Sequence, residues 1–267
     1  MTITERERSA GALTPDNLAT AQRLLREAGY VVFESLLPPD LTDELRERFD
    51  IIHQEELEDR DADETWNRRG GRGALPEMPF MHPLLIENPI GLQVMESVMG
   101  EDLWGMLPYH TNTSFPGAHL QGVHRDTRHL FPELAHPLPP AMLILHFALS
   151  DFTERNGSTE IWPGTHLITD VEPGGGAKPD TDERAATMPS VRMNMLAGSL
   201  VARDMRVWHR ATPNHSDEIR TMTSMVYFRQ FHRFPQHLTG SPPQFPEDAR
   251  DLLSDKSKAL YRYSLSG

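Results

Sequence analysis

From Leu103 onward the chain is written in short apolar and alternating runs divided by Pro, Gly and Asn. A strand needs only a few residues of period-two text, and it stops where proline removes a donor or glycine loosens the backbone. Many such runs in succession predict a sandwich or barrel of antiparallel strands. Ala141 to Ala148 reads Ala-Met-Leu-Ile-Leu-His-Phe-Ala, a continuous apolar run expected at the centre of a sheet, with Met142, Ile144, His146 and Ala148 on one face. Trp104 to Ser114 reads as one strand with Asn112 and Ser114 sharing a face. Asn156-Gly157 is a turn before a strand from Ser158 to Trp162, and Leu196 to Ala202 leads toward Trp208-His209.

Upstream the text is helical. Thr14-Pro15-Asp16 has an N-cap followed by proline at the first helical position, and Gly29 is its stop. Tyr30 to Phe33 is a short strand. A second helix is expected from Pro38-Pro39-Asp40 to about residue 58, and a third from Asn88-Pro89 to Gly100. Residues 1–13 are polar and read as a loose arm. Residues 59–82 contain Trp66, an Arg-Gly-Gly tract and prolines, which specify no regular element and suit either a lid over a site or a plain connector. Pro173 through Ser190 reads as a long polar loop, and the stretch beyond residue 232 as an irregular C-terminal wrap. These pieces make one domain of 267 residues: an arm (1–13), a helical flank (14–100), a jelly-roll core (101–232) and the wrap (233–267).

The formal charge of −13 argues against a nucleic-acid or anionic-membrane partner, because both select for basic faces. There is no cysteine, so neither disulfides nor a zinc-thiolate centre is available. No stretch reaches the roughly 20 apolar residues of a membrane span. The first residues lack the apolar core of a secretory signal, and the cytoplasm is the default expectation.

The chemistry concentrates in Gln121-Gly-Val-His124-Arg-Asp126. Side chains at i and i+2 of a strand point the same way, so His124 and Asp126 can hold one cation together. His209 follows in Asp204-Met-Arg-Val-Trp-His-Arg210, and Arg220 comes eleven residues later. Two imidazoles and one carboxylate form the facial set of non-haem Fe(II) oxygenases, with open positions for a chelating cosubstrate and O₂. An arginine nearby is the group expected to hold the far carboxylate of 2-oxoglutarate, since its planar fork pairs bidentately. Against this stands chance: with thirteen histidines, a lone His-x-Asp carries little, and the ordered set carries the argument.

His124-Arg-Asp, Asp151 through His166 with its Asn-Gly-Ser-Thr-Glu and Trp-Pro-Gly phrases, Gly198 through Asp204, Trp208-His-Arg-Ala-Thr-Pro-Asn214 and Arg220 together resemble the phytanoyl-CoA dioxygenase family. The phrasing is most similar to the branch that contains kanamycin B dioxygenase. The resemblance implies a mainly β fold, a double-stranded β-helix (jelly roll, cupin-like) with flanking N-terminal α-helices. It also implies an enzyme that binds Fe(II) through His124, Asp126 and His209, with 2-oxoglutarate held by Arg220. Thr159, Gln121 and Asn112 are candidate helpers; His146 is either a further cosubstrate neighbour or a packed core histidine. O₂ would then be consumed, succinate and CO₂ released, and a C–H bond of a small-molecule substrate oxidised. Hydroxylation is the default outcome; desaturation, epimerisation, ring formation and oxidation to a ketone share its oxidant. Halogenases related to the family leave the carboxylate position as Gly or Ala, so Asp126 argues against halogenation. Arg125 is expected to point away from the metal, while Arg128 and His129 suit either solvent or an oxygen-rich substrate. The competing readings are a cupin-like isomerase or oxygenase that does not use 2-oxoglutarate, and a non-enzymatic binding protein.

Overall fold

The computed structural model describes residues 1–58, 69–131, 133–170, 179–232 and 244–265. A helical layer comes first: α1 (Glu5–Ala10), α2 (Pro15–Glu27), α3 (Pro39–Glu58), α4 (Pro83–Ile86) and α5 (Pro89–Met99), with strand β1 (Tyr30–Phe33) between α2 and α3. The large sheet runs β1, β8 (Leu200–Asp204), β5 (Met142–Phe147), β10 (Arg220–Phe228), β4 (His110–Ser114) and β2 (Arg69–Gly70), with β3 (Trp104–Gly105) also on β10. The small sheet runs β7 (Val191–Arg192), β6 (Glu160–Trp162) and β9 (Trp208–Arg210). Every pairing is antiparallel.

Period two decides which side chain faces where. On β5, Leu143, Leu145 and Phe147 join the main core under the helices, together with Leu200 and Ala202 of β8 and Met225 and Tyr227 of β10. The other face of the same sheet supplies Ala148, Val201 and Met222 to a second cluster, shared with Ile161 of the small sheet. The two sheets therefore face each other across that cluster, which is the jelly-roll arrangement. His146, Arg203 and Arg220 lie on this inner face by alternation. A third, small cluster of Val123, Trp162, Ala185 and Trp208 backs the small sheet from outside.

Four expectations are corrected. The expected loose arm at 1–13 contains α1, because Glu7 is an acceptor rather than a solvated charge. Its carboxylate receives the Thr4 backbone N–H and hydroxyl, the Thr14 backbone N–H and hydroxyl, and the Asn17 amide, joining α1 to the start of α2. Trp104 to Ser114 is two strands, since Pro108 lies between them and has no N–H to give a ladder. Residues 179–190 are not all loop: Pro179–Ala185 is a helix, α6, whose Asp182 accepts the Val123 N–H at 2.8 Å. The C-terminal segment carries a 3₁₀ turn (Glu247–Leu252) and a helix (Asp255–Leu260), held because Tyr261 is fully buried against Tyr227. Residues 59–68, Pro173 to Gly176 and 233–243 lie outside the described residues, so the lid reading of 59–82 bears only on its described part, where Arg69–Gly70 pairs with β4.

Gly29 shows how tightly the helical layer sits on the barrel. It has φ +83°, and an added Cβ would lie 2.3 Å from Val207 Cγ2 and 2.6 Å from His166 Nδ1. Gly29→Ala combines left-handed strain with overpacking, and should destabilise the protein by about 3 kcal/mol. Urea unfolding should show a lower midpoint at unchanged slope.

Candidate active site

The small sheet and its flanking segment build the site. His124 makes an isolated bridge with His209, each backbone N–H donating to the other's carbonyl at 3.1 and 3.0 Å. That register sends Val123, Arg125, Trp208 and Arg210 outward, and His124, Asp126 and His209 inward. Arg125 is buried outside the site, packed over the Trp208 ring at 5.8 Å and donating to the Ile168 carbonyl, as its parity requires.

His124, Asp126 and His209 each present one ligand atom, all within 4.8 Å of one another. Asp126 Oδ1 is 3.8 Å from His124 Nε2 and 3.5 Å from His209 Nε2. His124 Nδ1–H donates to the Gly122 carbonyl and His209 Nδ1–H to the Val207 carbonyl, both at 3.0 Å. Each ring therefore carries its proton on Nδ1 and turns the Nε2 lone pair toward the carboxylate, the orientation that metal-binding histidines need. Among the described residues no other group of three such side chains converges. Two imidazoles and a carboxylate, with no thiolate, fit Fe(II).

The electrostatics keep Asp126 charged and His209 neutral. Burial pushes the Asp126 carboxyl up, but the adjoining His209, Arg203 and His124 side chains outweigh it and hold the group well below the usual carboxylate range. Burial and then the Arg203 guanidinium bring His209 down to about 3, and the same two causes bring His146 to about 3. Both imidazoles are thus neutral in the folded protein and take up a proton on unfolding. Between about pH 6.5 and about 3 the unfolded chain binds more protons, so stability falls as pH falls. The metal-free protein should lose about 1.4 kcal/mol per pH unit for each imidazole through that window. Urea melts at about pH 7.5 and about pH 5.5 test this; equal stabilities would show that the rings are protonated in the fold.

A cavity of about 200 Å³ connects the three ligands to Arg220, Thr159, Gln121, Asn112, His146, Arg69, Arg203 and Met222. Every residue expected at the site lines it. Arg220 is 3% exposed, its Nε has no hydrogen-bond partner, and its guanidinium lies 4.4 Å from the centre of the Phe152 ring. No carboxylate pairs with it among the described residues. Burial, with Arg69 and Arg192 nearby, brings it down to about 9. Gln121 is tied to Ala211 through both its backbone N–H and its side-chain oxygen, and Asn112 donates to Ser224 Oγ at 2.8 Å. His146 has both ring nitrogens engaged, Nδ1 by the Thr223 carbonyl and Ser224, and Nε2 facing Arg203. His129 donates Nε2–H to the Ile168 carbonyl, which ties it to the fold, and Arg128 is exposed. Arg203 was not foreseen, although a cation at an inward position of an apolar strand was the available signal.

The sequence matches the family model described as phytanoyl-CoA dioxygenase (PhyH) over residues 25–222. The chain belongs to the phytanoyl-CoA dioxygenase family. That family comprises enzymes that use Fe(II), 2-oxoglutarate and O₂, and the donor set and the carboxylate-free arginine described above suit both groups. Among relatives, Dioxygenase af480 of Aspergillus fumigatus is 26% identical over 193 residues, covering 72% of this chain and 58% of that protein. The chain spans about half the length of the multifunctional dioxygenase ausE of Penicillium brasilianum that it also matches. Among solved structures, the non-heme alpha ketoglutarate dependent carbocyclase SnoK from nogalamycin biosynthesis superposes with a TM-score of 0.60 at 23% identity, covering 81% of this chain and 84% of that one. These likenesses agree with the jelly-roll fold. No helix among the described residues is long and apolar enough to cross a membrane.

Proposed function

We propose that this phytanoyl-CoA dioxygenase family member oxidises an unactivated C–H bond of a small organic molecule, with hydroxylation as the default outcome. His124, Asp126 and His209 would hold Fe(II), and Arg220, assisted by Thr159, would hold the distal carboxylate of 2-oxoglutarate. Bound together, iron and 2-oxoglutarate supply with O₂ the oxidant for C–H cleavage, releasing succinate and CO₂. The chain's own part is positional. The backbone carbonyls of Gly122 and Val207 fix the imidazole tautomers, and the His124–His209 bridge fixes their spacing. Met222 and Phe152 form an apolar wall beside Arg220, which strengthens its hold on an anion by excluding water.

One observation carries this reading: a buried arginine with no carboxylate partner among the described residues shares a cavity with a complete candidate ligand triad. A cation removed from water needs an anion, and a dicarboxylate cosubstrate supplies it. A cupin-like centre working without 2-oxoglutarate leaves Arg220 without a purpose. Anaerobic addition of Fe(II) and then 2-oxoglutarate should produce a weak visible charge-transfer band that Fe(II) alone does not. Its absence in folded, iron-loaded protein would remove 2-oxoglutarate from the proposal.

A further inference from the structure

Arg203 occupies an inward position on β8. Alternation sends Leu200 and Ala202 to the helix side and Val201 and Arg203 inside, opposite His146 and Ile144 of β5. The side chain is almost wholly buried, yet it ends among the metal ligands. Its Nη2 donates to Asp126 Oδ2 at 2.5 Å, while Nη1 lies 3.3 Å from His209 Nδ1. The second contact is not a hydrogen bond, because the Nδ1 proton already points at the Val207 carbonyl. On the far side, His146 places its Nδ1 proton on the Thr223 carbonyl, so its Nε2 lone pair faces Arg203 Nη2 at 3.5 Å. Ser224, bonded by Asn112, closes the row behind His146.

The two oxygens of Asp126 are thereby divided. Oδ1 faces both imidazole Nε2 atoms, and Oδ2 belongs to Arg203. A carboxylate with both oxygens free can bind a cation through one or through both. If Asp126 used both, it would fill one of the three positions that a facial triad must leave open for a chelating cosubstrate and O₂. We propose that Arg203 is a positioning residue that holds Asp126 to single-oxygen ligation, with His146 as the post that keeps Arg203 in place. The inference rests on the iron-site reading given above.

Co(II) is a suitable probe, since its visible bands report coordination and need no turnover. The full chain, wild type, Arg203→Met and Arg203→Lys, is titrated with Co(II) under identical conditions. Arg203→Met is expected to weaken Co(II) binding by about 10–100-fold and to change the bands, as loss of a group orienting a ligand does. Arg203→Lys keeps the charge but not the fork, so it should recover part of the affinity while the bands stay altered. Variants with wild-type affinity and superimposable bands would overturn the inference and leave the metal reading standing. Failure of the wild type to bind Co(II) would overturn both. A lower melting temperature with unchanged affinity and bands would assign Arg203 to the fold alone, also overturning the inference. Should Arg203→Met not fold, Arg203→Lys decides by the same criteria.

Discussion

Arg220→Met should bind 2-oxoglutarate roughly 10²–10³-fold more weakly while the metal-free protein becomes no less stable than the wild type. The two halves of that expectation come from one fact. Arg220 is buried with no acid beside it among the described residues, and burial together with Arg69 and Arg192 has already brought it down to about 9. In the free protein the cation is therefore a liability, offset in part by its contact with the Phe152 ring. Methionine has similar length and no charge, so the substitution removes the liability and adds up to about 3 kcal/mol of stability. In the presence of the cosubstrate the balance inverts, because a bidentate pair in a dry pocket is lost, worth about 3–4 kcal/mol. Calorimetric titration of metal-loaded variant with 2-oxoglutarate, beside thermal melts of the metal-free form, reads both. A variant that melts early but binds normally would make Arg220 a structural residue.

The same contrast explains what the sequence made legible. His124, Asp126, His209 and Arg220 could be read because their chemistry is uncommon and strand alternation assigns a face to each without knowledge of the neighbours. His146 was readable to its face, but its role depended on Arg203, which lies six residues before His209 and was not singled out. Leu200-Val-Ala-Arg203-Asp reads as an approach to His209 until the register with β5 puts the guanidinium beside Asp126. The helices α1 and α6 were missed for a related reason. They are fastened to the rest of the chain by polar bonds, Thr14 and Asn17 to Glu7 and Val123 to Asp182, and neither shows an apolar period. Periodicity detects elements that bury a face; it is silent about elements fastened by one well-placed carboxylate.

His209→Ala should raise the dissociation constant for a divalent metal by roughly 10²–10³-fold, taking the share of about 3 kcal/mol per ligand that follows when the about 10–16 kcal/mol of a structural zinc site is divided among its four ligands. The fold should survive, because the bridge that places this residue is made by backbone groups, His209 N–H to the His124 carbonyl and the reverse. Alanine preserves both bonds. Survival can be checked by a property that the same side chain controls. His209 stands at about 3 in the folded state against about 6.5 when unfolded, and so contributes to the loss of stability on acidification. Its removal should flatten the acid limb of the metal-free protein by about 1.4 kcal/mol per pH unit, with the His146 share left in place. Weakened metal binding together with a flatter acid limb would locate the loss at the ligand. Weakened binding with an unchanged acid limb and a collapsed unfolding slope would instead mean that the small sheet has come apart. In that case the inward set of His124, Asp126 and His209 depends on the imidazole for its assembly as well as for its lone pair.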